Sequence, residues 1–311
     1  AALVLGRLPD ALVGGELSLD RENSRKAFVE LGAKFDITAE EAAAGVFEIA
    51  AANQVNGIRQ VSVMRGREPG LYALVAFGGA GGLFAAEVAD FLDIKTVLSP
   101  PNPGNLSAFG LHVSDIKRDY IRTMVRQQAS ANRVEIKTAW DELESQGRVE
   151  IAAEGVEDSA INIHYSADMR YVGEGHEVPV LVPEGLTGEA AVAHIWEEFH
   201  RVHERTFGFE YRDTQDVELV NLRVQAVGRA HRPDVSARAD GAGGAAEPHH
   251  TRPVYWRGKG WADCPIYRRT DLPVGARIEG PAIVEEYDAT CLIPPGGRAS
   301  LDRFGNIVID L

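Results

Sequence analysis

Cysteine is scarce in this sequence: its 311 residues include only two, Cys264 and Cys291. Two cysteines cannot form a disulfide framework, and no C-x-x-C spacing occurs. We therefore expect both thiols to be reduced and to play a structural part in the core rather than a reactive one.

Long apolar runs and basic runs are also missing. No stretch of about 18 apolar residues occurs, which excludes a membrane-spanning helix, and no signal peptide opens the chain, so the expected location is the cytoplasm. No run of Lys and Arg is present and the formal net charge is −14. We therefore expect no nucleic-acid partner, because such partners need basic surfaces.

An initiator methionine is missing as well. The chain opens as AALVLGRLPD, inside an apolar stretch. This opening is typical of a piece cut from a longer protein, and we expect one here.

The first part of the sequence is rich in helical and parallel-strand signals. Thr38 and Glu41 form a T-x-x-E capping box, which predicts the start of a helix. The uninterrupted apolar run 71–77 predicts a strand buried on both faces of a parallel sheet. A helix at about 83–92 and a strand at 95–99 follow, completing a β-loop-α-β unit. Residues 1–130 are therefore predicted to form an α/β lobe.

The second part has a different pattern. After a polar helical stretch, short β segments alternate with turns, and a single helix at about 186–207 carries apolar residues along one face. Residues 238–250 form a low-complexity loop. We predict a β-rich domain over 131–311.

A glycine-rich loop lies between the first predicted strand and its helix, at Gly78, Gly79, Ala80, Gly81 and Gly82. Backbone N–H groups at such a point, next to a helix N-terminus, favour an anion or a closely packed nucleotide. The loop lacks both the third glycine of a dinucleotide fingerprint and the G-K-[ST] of a phosphate-binding loop. From spacing alone, ligand contact and a tight turn with close helix–strand packing both remain open.

Three histidines occur in the predicted helix at 186–207, and they invite a metal interpretation. At about 100° per residue, His194, His200 and His203 do not share one face and cannot hold one ion. We therefore predict no metal site. His203 lies on the apolar face, as a hydrogen-bonded core histidine, and the other two are predicted at the surface.

An acid, a base and an aromatic side chain lie close together near a strand end, at Asp168, Arg170 and Tyr171. An arginine can hold a ligand carboxylate through two hydrogen bonds. An ordinary ion pair at a sheet edge is the alternative.

Three carboxylates, Glu285, Glu286 and Asp288, alternate along another predicted strand. Alternation places neighbours on opposite faces, so a solvated face is expected there. No Ser/His/Asp order or Cys/His pair stands out, and the catalytic residues remain unknown.

Several long stretches, in order along residues 3–311, resemble the hydantoinase A/5-oxoprolinase family. That family includes ATP-dependent N-methylhydantoinase and oxoprolinase, and subunits of acetone and acetophenone carboxylases. The stretches are LVAFGGAGG, VLSPPNPGNLSAFGL, DIKRDYIRT, DMRYVGEGHEV, FHRVHERTFGF and GPAIVEEYDATCLIPPGGRASLDRFGNIVID.

The resemblance implies an α/β fold: the second lobe of an actin/sugar-kinase-like ATPase core, followed by a β-rich C-terminal domain. It implies use of ATP and Mg²⁺ to phosphorylate an amide or enolate oxygen, after which the activated compound is hydrolysed or carboxylated. It places the adenosine part of ATP against the loop 78–82. Asp168, Arg170, Tyr171 and His203 become candidates for contact with substrate or with another subunit.

The resemblance also implies partners. The family's two phosphate loops lie before the stretch that begins here as AALVLGRL, so an N-terminal hydantoinase A-like lobe would supply the phosphate and Mg²⁺ contacts. A hydantoinase B-like subunit would complete the site. Alone, the chain is not expected to hydrolyse ATP.

The chain departs from the family pattern at several positions. Gly82 and Phe84 replace the proline and histidine of G-G-A-G-P-x-H, Glu174 replaces a glutamine, and 65–70 reads R-G-R-E-P-G. Phenylalanine lacks the proton-carrying and hydrogen-bonding nitrogens of histidine. These changes leave a non-catalytic structural subunit as the alternative. The substrate stays open among a hydantoin, 5-oxoproline, a lactam and a ketone.

Overall fold

A computed structural model describes residues 1–230 and 245–311 of the chain. They group into two compact units. The discontinuous unit combines residues 1–110 with the last part of the chain, described from 245 to 311, and the continuous unit covers 111–230. Most of the predicted low-complexity loop, from 238 to 244, lies outside the described residues.

The α-helices are α1 (Arg21–Ala33), α2 (Ala39–Val61), α3 (Gly81–Phe91), α4 (Leu106–Val113), α5 (Arg133–Ala153) and α6 (Gly188–Phe207). The strands are β1 (Ala11–Leu12), β2 (Leu17–Ser18), β3 (Leu74–Val75), β4 (Thr96–Ser99), β5 (Ile116–Gln127), β6 (Ile161–Tyr171), β7 (Val178–Leu181), β8 (Val217–Gly228), β9 (His250–Trp256), β10 (Gly260–Arg268), β11 (Arg277–Glu279), β12 (Ala282–Glu285), β13 (Thr290–Ile293), β14 (Arg298–Leu301) and β15 (Ile307–Asp310). None of these helices is long and apolar enough to cross a membrane.

The discontinuous unit contains two main sheets. One has the strand order β11-β14-β15-β4-β3 and the other β13-β12-β10-β9. In the first sheet β15 pairs antiparallel with β4, with Ile309 opposite Val97, while β3 and β4 run parallel. The first and last parts of the chain therefore share one hydrophobic core.

The local helix signals are confirmed. The Thr38 hydroxyl accepts a hydrogen bond from the Glu41 N–H, and the Glu41 carboxylate accepts one from the Thr38 N–H. The predicted helix after the glycine loop is α3, and the predicted helix at 186–207 is α6.

The prediction of a strand buried on both faces at 71–77 is wrong. Only Leu74 and Val75 form β3, which lies at the edge of its sheet. Leu71 is 83% exposed, and Val75 and Phe77 are each half exposed. An apolar run indicates a strand, but it cannot indicate how many neighbours that strand has.

The continuous unit is an antiparallel sheet of order β5-β8-β6-β7, with α5 and α6 packed against it. Trp140 of α5 and Phe199 of α6 are buried with the inward residues of the strands, including Leu222. The Asn132 side chain caps α5 by accepting hydrogen bonds from the Val134 and Glu135 N–H groups.

The predicted division into 1–130 and 131–311 describes domains along the sequence, and it stays a prediction. The compact units describe which residues contact one another, and they group the chain differently. Strands from the last part of the chain pair with β4, so residues 245–311 belong with the first 110.

Candidate functional site

A cavity of about 690 Å³ lies in the discontinuous unit, and we call it the glycine-loop cavity. Its first wall is the segment 8–15. Its second wall is Gly79, Ala80 and Leu83, where α3 begins. Its third wall is the segment 285–290, between β12 and β13. Its base includes Pro101, Asn102, Arg268, Arg269 and Thr270.

The glycines of the loop have different tasks. Gly78 has a left-handed φ of 83° and donates its N–H to the Pro103 carbonyl at 2.7 Å, so it forms the turn. A β-carbon at position 82 would lie 2.6 Å from the Thr290 carbonyl oxygen and 2.9 Å from the Cys291 α-carbon. Close packing of α3 against β13 therefore requires glycine there. Gly79 and Ala80 are the loop residues that line the cavity.

The beginning of α3 gives this wall its polarity. Ala80 precedes the first helical residue and supplies no side-chain cap. The first N–H groups of a helix lack intrahelical partners and carry partial positive charge. Here the Gly81 and Leu83 N–H groups donate to the Gly78 and Ala80 carbonyls, each at 3.1 Å. The wall therefore combines the small residues Gly79 and Ala80 with the positive end of a helix, which suits close approach by polar ligand atoms.

The base of the cavity is held by a buried ion pair. Arg269 is 3% exposed and places its Nε 2.7 Å from Glu286 Oε1. Its other nitrogens donate to the carbonyls of Ser99 and Gly305, each at 3.0 Å, and to the Ser99 hydroxyl at 2.7 Å. Burial raises the pKa of the Glu286 carboxyl, although Arg269 opposes this. The pair fixes the end of β4 under the cavity.

The expectation of a solvated acidic face at 285–288 is wrong. Glu286 also accepts a hydrogen bond from the Asn102 N–H at 3.2 Å, and Glu285 binds Arg252 at 2.8 Å. Asp288 accepts a hydrogen bond from the Asn105 side-chain amide at 3.3 Å. Alternation indicates which face a side chain is on but not its distant partners, so no sequence pattern indicates these arginines and asparagines.

Phe84, where the resemblance leads us to expect a histidine, is half-buried and packs against the hydrophobic core. Its ring stacks on Phe47 with 4.1 Å between centroids and 17° between planes. The α3 residue that lines the cavity is Leu83, one position earlier. The substitution therefore fills apolar space between helices α2 and α3.

A second polar cluster lies in the continuous unit. The Tyr171 hydroxyl is 2.9 Å from His200 Nδ1 and accepts the Tyr211 N–H at 2.7 Å. His203 Nδ1 lies 2.9 Å from the Phe209 carbonyl, and its Nε2 lies 3.2 Å from a Glu174 oxygen. The prediction of His203 as a hydrogen-bonded core histidine is confirmed.

The surface prediction for His200 is wrong, because that side chain is only 5% exposed. The Tyr171 side chain, at the end of β6, covers the His200 ring. Glu174, where the resemblance leads us to expect a glutamine, also accepts the Tyr171 N–H at 3.2 Å. Over 1–230 and 245–311, no group of three or more His, Cys, Asp or Glu side chains is placed to hold a metal ion.

Asp168 and Arg170 do not bind each other. Asp168 accepts hydrogen bonds from Arg223 at 2.7 Å and from Asn221 at 3.0 Å, while Arg170 binds Glu218 at 2.7 Å. Their strand β6 is internal, between β8 and β7. Alternation puts both on one face and Tyr171 on the face that α6 covers. A role for these residues in binding a substrate or another subunit stays a prediction.

The sequence and fold together define the class of protein. The hydantoinase/oxoprolinase family matches residues 1–120, and the hydantoinase/oxoprolinase C-terminal domain matches residues 123–308. The chain belongs to the hydantoinase/oxoprolinase family.

The chain is also similar to particular proteins. The chain is 33% identical to caprolactamase subunit alpha of Pseudomonas jessenii over 97% of its own length and 44% of that protein. The crystal structure of ATP-dependent caprolactamase from the same organism matches 99% of this chain and 46% of that one, with a TM-score of 0.70 and 31% identity. The nucleotide-free structure of acetone carboxylase matches 99% of this chain and 45% of that one, with a TM-score of 0.83 and 21% identity.

These matches confirm the predicted α/β fold class. The identity to acetone carboxylase is low enough that this likeness bears on the fold alone. The chain spans less than half the length of the relatives it matches.

Proposed function

We propose that this chain is the C-terminal part of an ATP-dependent subunit that activates the oxygen of a cyclic amide or a ketone by phosphorylation, for hydrolysis or carboxylation. The observation that carries the proposal is the glycine-loop cavity. It is bordered by Gly79 and Ala80 at the N-terminus of α3, in a chain whose relatives include an ATP-dependent caprolactamase.

We assign the cavity to the adenosine part of ATP. Its volume of about 690 Å³ lies within the usual range of roughly 300–1,000 Å³ for small-molecule sites. The apolar side chains Leu8, Leu12 and Leu83 suit a base, and the backbone around Ala80 and Asn102 suits its polar edge. In this proposal Gly79 and Ala80 contact the nucleotide because they present little side chain, and the remainder of the 78–82 loop holds them in place.

The reaction needs parts beyond these residues. ATP supplies the phosphoryl group when bound. We assign its phosphate and Mg²⁺ contacts to an N-terminal hydantoinase A-like lobe, and completion of the substrate site to a hydantoinase B-like subunit. The names of two relatives, caprolactamase subunit alpha and acetone carboxylase beta subunit, support assembly with other subunits.

The identities favour one substrate class. The chain is 33% identical to the caprolactamase subunit and 24% identical to the acetone carboxylase subunit. We therefore put a cyclic amide before a ketone. The choice among a hydantoin, 5-oxoproline and a lactam belongs to a substrate screen with the assembled enzyme.

Calorimetric titration of the purified chain with adenosine, ADP and ATP tests the nucleotide assignment. We expect binding of all three, and we expect Ala80→Phe to abolish it, because the added ring occupies the cavity. Ala153→Phe, at the exposed end of α5, is the matched control and should bind as the wild type does. Failure of the wild type to bind any of the three, or unchanged binding by Ala80→Phe, contradicts the proposal.

A non-catalytic structural subunit is the second candidate, and Phe84 is the observation that favours it. A phenylalanine stacked on Phe47 at that position supplies neither a proton carrier nor a hydrogen bond. The two candidates separate when the chain is purified with its partner subunits. ATP turnover that Ala80→Phe abolishes supports the enzyme, and turnover that survives Ala80→Phe supports the structural role.

A further inference from the structure

Two arginines outside the glycine-loop cavity connect its three walls. Arg7 immediately precedes the first wall, 8–15. Its Nη1 lies 3.2 Å from Oε1 of Glu87, which is on α3, the helix that begins at the second wall. An ion pair therefore joins the first wall to the helix that carries the second.

Arg7 is held tightly in the core. Its side chain is 3% exposed, and its guanidinium carbon lies 4.3 Å from the centre of the Phe47 ring and 5.5 Å from that of Trp256. Burial lowers the pKa of Arg7 and raises that of Glu87, so each charge depends on the other for compensation. An arginine fixed between an aromatic ring and a carboxylate has little freedom to move.

Arg252 joins the same segment to the third wall. Its Nε donates to the Gly6 carbonyl at 2.8 Å, and its Nη2 donates to Glu285 Oε1 at 2.8 Å. Gly6 has a left-handed φ of 71°, and a β-carbon there would lie 2.2 Å from the Pro253 carbonyl oxygen. Residues 6 and 7 are thus bound to α3 on one side and to the strands on the other.

We propose that Arg7 and Arg252 are positioning residues that set the separation of the three cavity walls, and with it the affinity for the adenosine part of the nucleotide. This inference rests on the proposed function. Neither arginine lines the cavity, so both act through Glu87, Gly6 and Glu285. A binding site needs its contacts held to within about 0.5 Å. We assign that role to the ion pairs and hydrogen bonds of Arg7 and Arg252.

The test separates positioning from stability. ADP affinity by calorimetry and the thermal midpoint of the nucleotide-free chain are measured for Arg7→Met, for Arg7→Met with Glu87→Met, and for Arg252→Met. Arg7→Met leaves a buried carboxylate unpaired, so the midpoint should fall. The double variant removes that carboxylate and should recover part of the midpoint.

The affinity for ADP should not follow the thermal midpoint across these variants. We expect ADP to bind about tenfold or more weakly to Arg7→Met, to the double variant and to Arg252→Met, because the walls are no longer joined. Arg25→Met is the matched control. It breaks the ion pair of Arg25 with Glu40, which joins α1 to α2 away from the cavity, and it should leave ADP affinity unchanged.

Two results would overturn the inference. Affinity that recovers together with the midpoint in the double variant would show that Arg7 contributes stability alone. Wild-type affinity in Arg252→Met would exclude that residue from positioning. Absence of ADP binding by the wild type is a different outcome, since it contradicts the proposed function as well.

Discussion

At the scale of single residues, position 82 tests whether part of the glycine loop serves close packing. The two nearest atoms that a β-carbon at this position would meet belong to the backbone of Thr290 and Cys291, which cannot rotate away. We expect Gly82→Ala to lower the free energy of unfolding by about 1–3 kcal/mol, since inserted atoms strain a packed core. Urea unfolding of the two proteins measures the difference.

Gly45→Ala is the control for that experiment. Gly45 lies inside α2, and a β-carbon there would meet no atom within 4 Å. The change should stabilise the protein by about 0.5–1 kcal/mol, the usual gain of alanine over glycine in a helix. If Gly82→Ala stabilised the protein as Gly45→Ala does, close packing could not be the reason for glycine at position 82.

At the scale of elements, α6 depends on a buried neutral histidine. Burial lowers the pKa of His200, and Arg212 adds to the effect. The pKa of histidine in the unfolded chain is about 6.5. Below that pH, His200 binds a proton in the unfolded chain but stays neutral to lower pH in the folded protein. The free energy of unfolding should therefore fall as the pH drops from about 7.5 to 5, because the unfolded state binds more protons.

Urea unfolding at several pH values measures this for the wild type and for His200→Gln. The variant should lose less stability on acidification, since glutamine does not titrate. An NMR titration gives the folded pKa of His200 directly. A value at or above about 6.5 would contradict the prediction.

The elements also show which structural features the sequence could predict. The start of α2 and the presence of α3 and α6 follow from local signals: a capping box, a glycine loop and an apolar stripe. The edge position of β3 depends on β4 alone being its neighbour, and no local pattern states that.

Only those parts of the candidate site that are formed by consecutive residues could be predicted from the sequence. The glycine loop was visible because its residues are consecutive. The ion pair of Arg269 with Glu286 and that of Arg252 with Glu285 join residues from separate strands and turns. Their partners become evident only once β10 and β12 pair.

At the scale of the whole molecule, the glycine-loop cavity lies entirely within the discontinuous unit. A ligand stabilises the unit that binds it through mass action. We expect ADP to slow amide hydrogen exchange in α3, β12 and β13, and to leave β6 and β8 of the continuous unit unchanged. Exchange followed by mass spectrometry, with and without ADP, checks this.

Ala80→Phe supplies the control for the exchange experiment, since the blocked cavity should show no ADP-dependent protection. Protection of β6 and β8 equal to that of α3 would contradict a site confined to the discontinuous unit.

The pairing of β15 with β4 has a consequence for how the protein is made. A ribosome adds roughly 5–20 residues per second, and Ile307–Asp310 emerges only after the whole of the continuous unit has followed Thr96–Ser99. When the continuous unit has emerged, the nascent discontinuous unit has only β3 and β4 of one main sheet and no strand of the other. The continuous unit already has all four strands of its sheet. During synthesis, the continuous unit should therefore fold before the discontinuous unit, although the discontinuous unit begins to emerge first.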